Sequence, residues 1–360
     1  MPLKPKVIHL IDDQKLGGVK LAVEGLCHSS LNREFNFEIY HINLKAWKPV
    51  RYQADIICLH AAASWQKLPA MALLKLVNLG IPILYQEHHY SEGFVLHQVK
   101  TKWRFLMMLK LYYGLMNKVL AVSQAQGKWL LKLRLVSKDK LFITGQAKSL
   151  DALTSLNHHV FSWPLVIGAY GRLHHQKGFD ILLRAIAAVK TDKLELRIAG
   201  SGEQELELEL RALAEHDNEG DSRVTFVDEI KDVPHFLNGC DLVIIPSRWE
   251  PFGLTCQESL AAGKVVIANN IDGLTEQLIN LNSANETTHQ DKDVHSIVLD
   301  ELTEECLEIA IRQQISSIEE RQAQDVKNGF VYGLSQHQRE LVAQAWPSLL
   351  LRWRELLHSV

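Results

Sequence analysis

Eleven short strand-like runs, alternating nearly throughout with segments of helical period, constrain this chain more than any other feature. In the first half they are Val7–Ile11, Phe37–His41, Ile56–His60, Ile81–Gln86, Val119–Val122 and Leu141–Thr144. In the second half they are Leu165–Tyr170, Leu194–Ala199, Val224–Val227, Leu242–Ile245 and Val265–Ala268. Several, such as Val119–Val122, Leu242–Ile245 and Val265–Ala268, are apolar at every position rather than at alternate ones, which is the pattern of strands buried on both faces. Amphipathic helices between such strands cover the two faces of a parallel sheet. The expected fold class is therefore α/β, built from doubly wound Rossmann-like units.

At 360 residues the chain exceeds the size at which a single core stops growing, so two domains are expected. The tract over residues 147–164, AKSLDALTSLNHHVFSWP, has weak periodicity and ends in proline, which places the boundary there. This divides the chain into residues 1–150, residues 151–336 and a terminal helical segment over 337–360. That segment carries Trp346, Leu349, Leu350, Trp353 and Leu357 at helical spacing. It either packs on the second domain or crosses back to the first. The polar stretch Asn280–His295 reads as a surface loop.

The net charge of −3 conceals two opposed halves. Residues 1–150 carry 21 Lys and Arg against nine Asp and Glu, whereas the remainder carries 18 against 33. The first half is thus built to meet something anionic. The five cysteines are odd in number and widely separated, which argues against a disulfide framework and against a zinc site. The opening MPLKPKVIHLIDD has too short an apolar run for a signal peptide, and no run is long enough to cross a bilayer. A cytoplasmic protein is expected, with attachment to the inner face of the membrane as its only membrane role.

Two stretches carry chemistry. In GAYGRLHHQKGFDILLRAIAAV, a strand runs into Gly171-Arg172, and Lys177-Gly178 precede a helix. A forked guanidinium and a compact ammonium around one strand-to-helix loop can neutralise a diphosphate; the plainer reading is a solvated basic loop. In SRWEPFGLTCQES, Pro251 and Gly253 make a corner before a helix over Leu254–Ala262. The start of that helix points free N–H groups outward with the positive end of its dipole, which suits phosphate. Glu250 precedes the helix and Glu258 lies inside it, so the two carboxylates can grip separate parts of one ligand. The competing account is a capping box, Thr255-Cys-Gln-Glu258, in which Glu258 only closes its own helix start.

Taken together, GRLHHQKG and EPFGLTCQE resemble the retaining nucleotide-sugar glycosyltransferases of family GT4, strongly over residues 165–280 and weakly before residue 120. The resemblance implies the GT-B fold, two facing Rossmann-like domains with acceptor binding in the first and donor binding in the second. It implies that Arg172 and Lys177 contact the donor diphosphate, that Glu258 holds the ribose hydroxyls, and that Glu250 touches the transferred sugar. Gly171 belongs to the same loop, and Gly253, Leu254 and Thr255 offer backbone N–H groups to sugar or phosphate. No metal and no cofactor are implied. The family is described as reacting on one face of the sugar, the leaving phosphate assisting deprotonation of the acceptor. In the first domain the matching histidine is His88 in YQEHHYSEGF, with His89 as the spare and Glu87 and Glu92 beside it for acceptor binding; a polar loop at a strand end is the ordinary alternative. His60 reads as structural or as the edge of the cleft. Gly17-Gly18 either approach a phosphate or the acceptor or form a plain turn. Two departures stand out: Asp272 occupies the place of the first of two glycines, and FITGQAKSLDAL lacks the asparagine usual after the sixth strand.

Between His97 and Lys140 stand ten Lys and Arg and the single acid Asp139. Within HQVKTKWRFLMMLKLYYGLMNK one continuous helix would gather Lys100, Arg104, Lys110 and Lys118 on one side. Such a helix suits an anionic membrane surface, or is a core helix with a solvated basic rim. Nucleic acid is not expected, because no recognition module accompanies the charge. The expected partners are a nucleotide sugar and a glycan or lipid-linked glycan, as in the synthesis of a cell-surface polysaccharide. The rival readings are a sugar-nucleotide epimerase on the same scaffold, a non-catalytic sugar-nucleotide binding protein, and a basic protein that binds anionic polymers.

Overall fold

The computed structural model describes residues 4–12, 17–46, 48–157, 160–217, 223–286, 296–324 and 330–360. They form two compact units, residues 1–149 with 345–360, and residues 150–344.

Among the described residues, unit 1 contains the strands β1 (Lys6–Ile11), β2 (Asn36–His41), β3 (Ile56–His60), β4 (Ile83–Glu87), β5 (Lys118–Ala121) and β6 (Leu141–Ile143). They pair in the order β2-β1-β3-β4-β5-β6, all parallel. Alternation along each strand divides the side chains between two cores. Val7, Ile56, Cys58 and Leu84 point to one face. Ile8, Leu10, Ile57, Leu59, Ile83 and Tyr85 point to the other. The first face is closed by the Ala345–Ser359 helix, whose Leu349, Trp353, Leu356 and Leu357 are buried in that core.

Unit 2 contains β7 (Leu165–Tyr170), β8 (Leu194–Ala199), β9 (Val224–Val227), β10 (Leu242–Ile245), β11 (Val265–Asn269) and β12 (Ile297–Leu299). Their order is β12-β11-β10-β7-β8-β9, again all parallel. Counted from β7 this is the dinucleotide-fold order 3-2-1-4-5-6, so the strand order reverses between β7 and β10. A crevice opens outside the carboxyl ends of the strands at such a point.

Several expectations need correction. The terminal segment 337–360 is two helices, Gln336–Ala343 in unit 2 and Ala345–Ser359 in unit 1. Pro347 in the first turn of the second helix explains the break, since proline suits a helix start and not its interior. The stretch over residues 97–118 is not one helix. It divides into Glu92–Gln98, Lys102–Gly114 and the start of β5, so Lys100 and Lys118 leave the expected face. β4 begins at Ile83 instead of Ile81 because Pro82 has no N–H to give a ladder. The Asn280–His295 loop is helical up to Glu286, and its residues 287–295 lie outside the described residues. Residues 158–159 of the boundary tract and 13–16 before Gly17 also lie outside them.

Candidate active site

The two motif loops of unit 2 follow the strands on either side of the reversal point, β7 and β10. They are laced to each other. The Arg248 N–H donates to the Gln176 carbonyl at 2.7 Å, and the Gln176 side-chain amide donates to the Trp249 carbonyl at 2.9 Å. The Arg248 guanidinium forks onto Asp180 at 2.9 and 2.7 Å and reaches the His175 carbonyl at 2.7 Å. A bidentate charged pair and three bonds to backbone carbonyls fix the register of one loop on the other.

Glycine lets the backbones come this close. Gly178, at φ +66°, ends the short turn His175–Lys177 and opens the Phe179–Ala188 helix. A Cβ there would lie 2.0 Å from the Pro246 carbonyl oxygen. Gly200, at φ +144°, would place a Cβ 1.9 Å from the carbonyl oxygen of Gly171.

Lys177 and Glu250 meet at 2.5 Å with their side chains 15% and 12% exposed, and Ser247 Oγ donates to the same carboxylate oxygen at 3.3 Å. The lysine stem passes over Gly171, 3.3 Å from where a Cβ would sit. Arg172 is exposed, and its charge, after burial, helps to lower the pKa of His174. The Leu254–Ala261 helix starts at Gly253, which is left-handed at φ +93°, and no side chain caps it. Its first turn leaves the N–H groups of Leu254 and Thr255 without a carbonyl one turn back. Thr255 Oγ1 is buried with no hydrogen-bond partner among the described residues.

Glu258 is buried and accepts from the Tyr170 hydroxyl at 2.8 Å. The capping box is therefore not formed: Gly253 holds the cap position, and Glu258 is tied to the end of β7. Asp272, the residue standing in for glycine, adopts φ +44°, a conformation that asparagine and aspartate visit more readily than other side chains. Its carboxylate accepts from the Glu250 N–H at 3.3 Å. Gly273 keeps the second glycine's role, because a Cβ there would lie 2.5 Å from Phe252 Cα. Gln277 donates to the Phe252 carbonyl at 2.7 Å and braces the corner from below.

Unit 1 is organised differently. Asp12, at the end of β1, accepts from Lys67 Nζ at 2.6 Å and from the Leu44 N–H at 2.6 Å. Gly17 and Gly18 open the Gly17–Cys27 helix after β1, and Gly18 is exposed. Glu87 is fully buried and accepts from the Tyr113 hydroxyl at 2.6 Å and from the His89 and Tyr90 N–H groups at 2.8 and 3.0 Å. Burial pushes its carboxyl up to about 7. The Tyr85 hydroxyl donates to the Ala61 carbonyl at 2.5 Å and makes a longer contact, 3.2 Å, with the same Glu87 oxygen that Tyr113 reaches. The Glu87 carboxyl is thus saturated within unit 1 and shapes the His88–Tyr90 turn.

His88 ends a chain of imidazoles. His9 Nδ1 lies 2.9 Å from His60 Nε2, and His60 Nδ1 lies 3.1 Å from His88 Nε2. Burial holds His9 and His88 down to about 3 and drives His60 well below its ordinary value. All three rings are therefore neutral near pH 7, with one N–H each. Two bonds consume two protons, so the third sits on His9 Nε2 or on His88 Nδ1, both buried without a partner among the described residues. His89 stands beside the chain, its ring centroid 6.5 Å from that of His88.

Arg172, Lys177, Glu250, Gly253, Leu254, Thr255, Glu258 and Gly171 all fall in unit 2; His88, His89, Glu87, Gly17 and Gly18 fall in unit 1. Sequence reasoning passed over Tyr170, Gln176, Arg248, Asp180 and Gln277. Only the Gly200-Ser-Gly202 after β8 carried a readable signal for close backbone approach. Among the described residues no group of three His, Cys, Asp or Glu is placed to hold a metal ion.

Residues 158–305 match the family of glycosyl transferases group 1. The matched residues lie wholly within unit 2. The chain is 28% identical over 282 residues to an uncharacterized 41.2 kDa protein in the cps region of Klebsiella pneumoniae, covering 73% of this chain and 76% of that one. It is 34% identical over 120 residues to glycogen synthase 2 of Bradyrhizobium diazoefficiens, which is 33% of this chain and 24% of the synthase. The match thus spans about a quarter of that synthase's length. The crystal structure of Anabaena Alr3699/HepE in complex with UDP and glucose superposes with a TM-score of 0.72 at 17% identity, covering 99% of this chain and 100% of that one. The fold is GT-B.

Proposed function

We propose that the chain is a group 1 glycosyltransferase that moves a hexose from a nucleoside diphosphate sugar to a glycan or lipid-linked glycan, with retention of configuration and without a metal ion. The observation that carries this reading is the locked pair of loops at the β7/β10 reversal, which bear Arg172 and Lys177 after β7 and the Leu254–Ala261 helix start after β10. As the nucleotide departs, negative charge grows on its diphosphate. Fixed cations and helix N–H groups stabilise that charge more in the transition state than before it, and they are already oriented. Arg172 and Lys177 take the diphosphate, Gly253 to Thr255 offer N–H groups to phosphate or sugar, Glu258 takes the ribose hydroxyls and Glu250 the transferred sugar. In this reading the ligand shares the Lys177–Glu250 pair, the ammonium turning to phosphate and the carboxylate to a sugar hydroxyl. His88, with Gly17 and Gly18, serves the acceptor side. The place of synthesis is the cytoplasm, and the product a cell-surface polysaccharide, in keeping with the relative from a cps region.

A thermal-shift series of sugar nucleotides, UDP-glucose first, tests this. A ligand that binds only the folded state adds about 2.7 kcal/mol at a hundredfold excess over Kd. The cognate donor raises the midpoint, and Lys177→Ala cancels the rise. No response to any sugar nucleotide overturns the reading, and consumption of the donor without acceptor identifies an epimerase instead.

A further inference from the structure

The Lys102–Gly114 helix, KWRFLMMLKLYYG, is apolar on two sides. One side buries Met108, Leu109, Tyr112 and Tyr113 in the core of unit 1. The other exposes Trp103, Met107 and Leu111, at 69%, 43% and 49% of their full accessibility. These three stand at i, i+4 and i+8, so they form one stripe along the helix. At about 100° per residue, Lys110, Trp103, Met107, Leu111 and Arg104 follow one another within roughly 120° of arc. Lys102, Arg104 and Lys110 are all exposed, and the helix contains no acid. The Arg104 guanidinium also lies 5.9 Å from the ring centroid of Trp65, a second part-exposed tryptophan.

A solvated surface helix places polar residues where this one places Trp, Met and Leu. The occupant must accept large apolar side chains and a flanking positive charge together. A second copy of the chain meets the first condition and fails the second, because an isologous contact sets the cationic stripe against itself. A polyanion in water meets the second and leaves the apolar side chains unburied. A bilayer with anionic headgroups meets both: tryptophan and aliphatic side chains enter the boundary between headgroups and acyl chains, and Lys and Arg face lipid phosphate. No helix among the described residues is long and apolar enough to cross a membrane.

We infer that the exposed side of the Lys102–Gly114 helix is a docking face for an anionic lipid surface, with Trp103, Met107 and Leu111 seated in it, Arg104 and Lys110 on its phosphates, and Lys102 adding positive charge from the helix start. The surplus of positive charge over residues 1–150 acts in the same direction. The inference concerns unit 1 alone and is tested without any transfer assay.

The test is co-sedimentation of the purified full chain with vesicles of phosphatidylglycerol and phosphatidylethanolamine, and with vesicles of phosphatidylcholine. Binding to the anionic vesicles exceeds binding to the neutral ones at least tenfold and weakens with salt. The triple variant Trp103→Ser, Met107→Ser, Leu111→Ser loses at least tenfold in vesicle affinity with its thermal midpoint retained. Lys102→Glu, Arg104→Glu, Lys110→Glu loses more, since each charge is worth about fivefold at such a surface. A control with the same change in charge elsewhere, Lys45→Glu, Lys48→Glu, Arg51→Glu, all at exposed positions, keeps most of the binding. Equal binding to neutral vesicles, equal loss in the control, or wild-type binding by either helix variant overturns the proposal. So does loss of a dimer, in place of vesicle binding, on changing the stripe.

Discussion

The carboxyl ends of the two sheets solve opposite problems with similar scaffolds. In unit 2 the charges sit on the loops, exposed or in an ion pair. Arg172 is exposed, Lys177 rests on Glu250, and the loops that carry them are fastened by backbone bonds, a guanidinium fork and glycines where another backbone passes. In unit 1 the ionisable groups are withdrawn: Glu87 is sealed among tyrosines, and His9, His60 and His88 bond to one another. The difference teaches that residue type alone does not mark a site. A cation on a fixed loop keeps its charge for a ligand, whereas a buried carboxyl or imidazole spends its hydrogen-bonding capacity on the shape of the turn beside it.

The largest effect that would break this contrast lies in unit 2. Lys177→Ala is expected to lower turnover by about a thousandfold, the scale of losing one preorganised charge-stabilising donor, while the thermal midpoint holds. A steady-state assay with the cognate donor checks it, and near-normal turnover would show that the displayed cation does not act on the diphosphate.

In unit 1 the expected loss is stability. Glu87→Ala leaves the N–H groups of His89 and Tyr90 and the Tyr113 hydroxyl without their acceptor, costing about 3 kcal/mol by chemical denaturation. The pH dependence has a definite sign. Glu87 is raised from 4.5 to about 7 in the folded protein, so its contribution is fully present below the unfolded value and disappears as pH rises through about 7. The histidines run the other way. His9 and His88 are lowered from 6.5 to about 3, so their contribution is present above 6.5 and is lost as pH falls. Midpoints measured between pH 5 and pH 8 should therefore fall less steeply toward alkaline pH in Glu87→Gln than in the native chain, and a parallel curve would contradict the upward shift of the buried carboxyl.

A smaller change sharpens the account of the imidazole chain. His60→Phe removes both of its N···N bonds and should cost about 2 kcal/mol, with the nitrogen resonances of His88 shifting as its Nε2 loses its partner. Unchanged His88 resonances would disconnect the three rings. The smallest effect belongs to Asp272→Gly, which relieves a left-handed backbone and gives up a 3.3 Å bond to the Glu250 N–H. The two terms oppose each other, and the net stability change should lie within about 1 kcal/mol.

The sheets were legible because strands buried on both faces have almost no choice of residue type. Leu242–Ile245 and Val265–Ala268 are apolar throughout, and β10 and β11 follow them closely. β12 was not, since three residues after a polar tract leave no pattern to read. The motif loops were legible as charges next to glycines. Their fastening was not, because Arg248 with Asp180 and Gln176 with Trp249 join positions 68 and 73 residues apart, which only the β7/β10 pairing brings together. The rival capping box at Thr255 fails for a physical reason: its spacing matches, but a left-handed glycine already occupies the cap and Tyr170 claims the carboxylate. The single helix expected over residues 97–118 failed because periodicity does not register the break at Val99–Thr101 between two helices.

The Ala345–Ser359 helix gives unit 1 an unusual dependence on time. Trp353, Leu356 and Leu357 fill the same core as Val7, Leu26, Phe35 and Leu84, so a nascent chain that has emerged as far as residue 344 holds all of unit 2 and an N-terminal sheet with one side only partly covered. The part translated first is then the part finished last, and until then its uncovered strands are a place for a chaperone to bind.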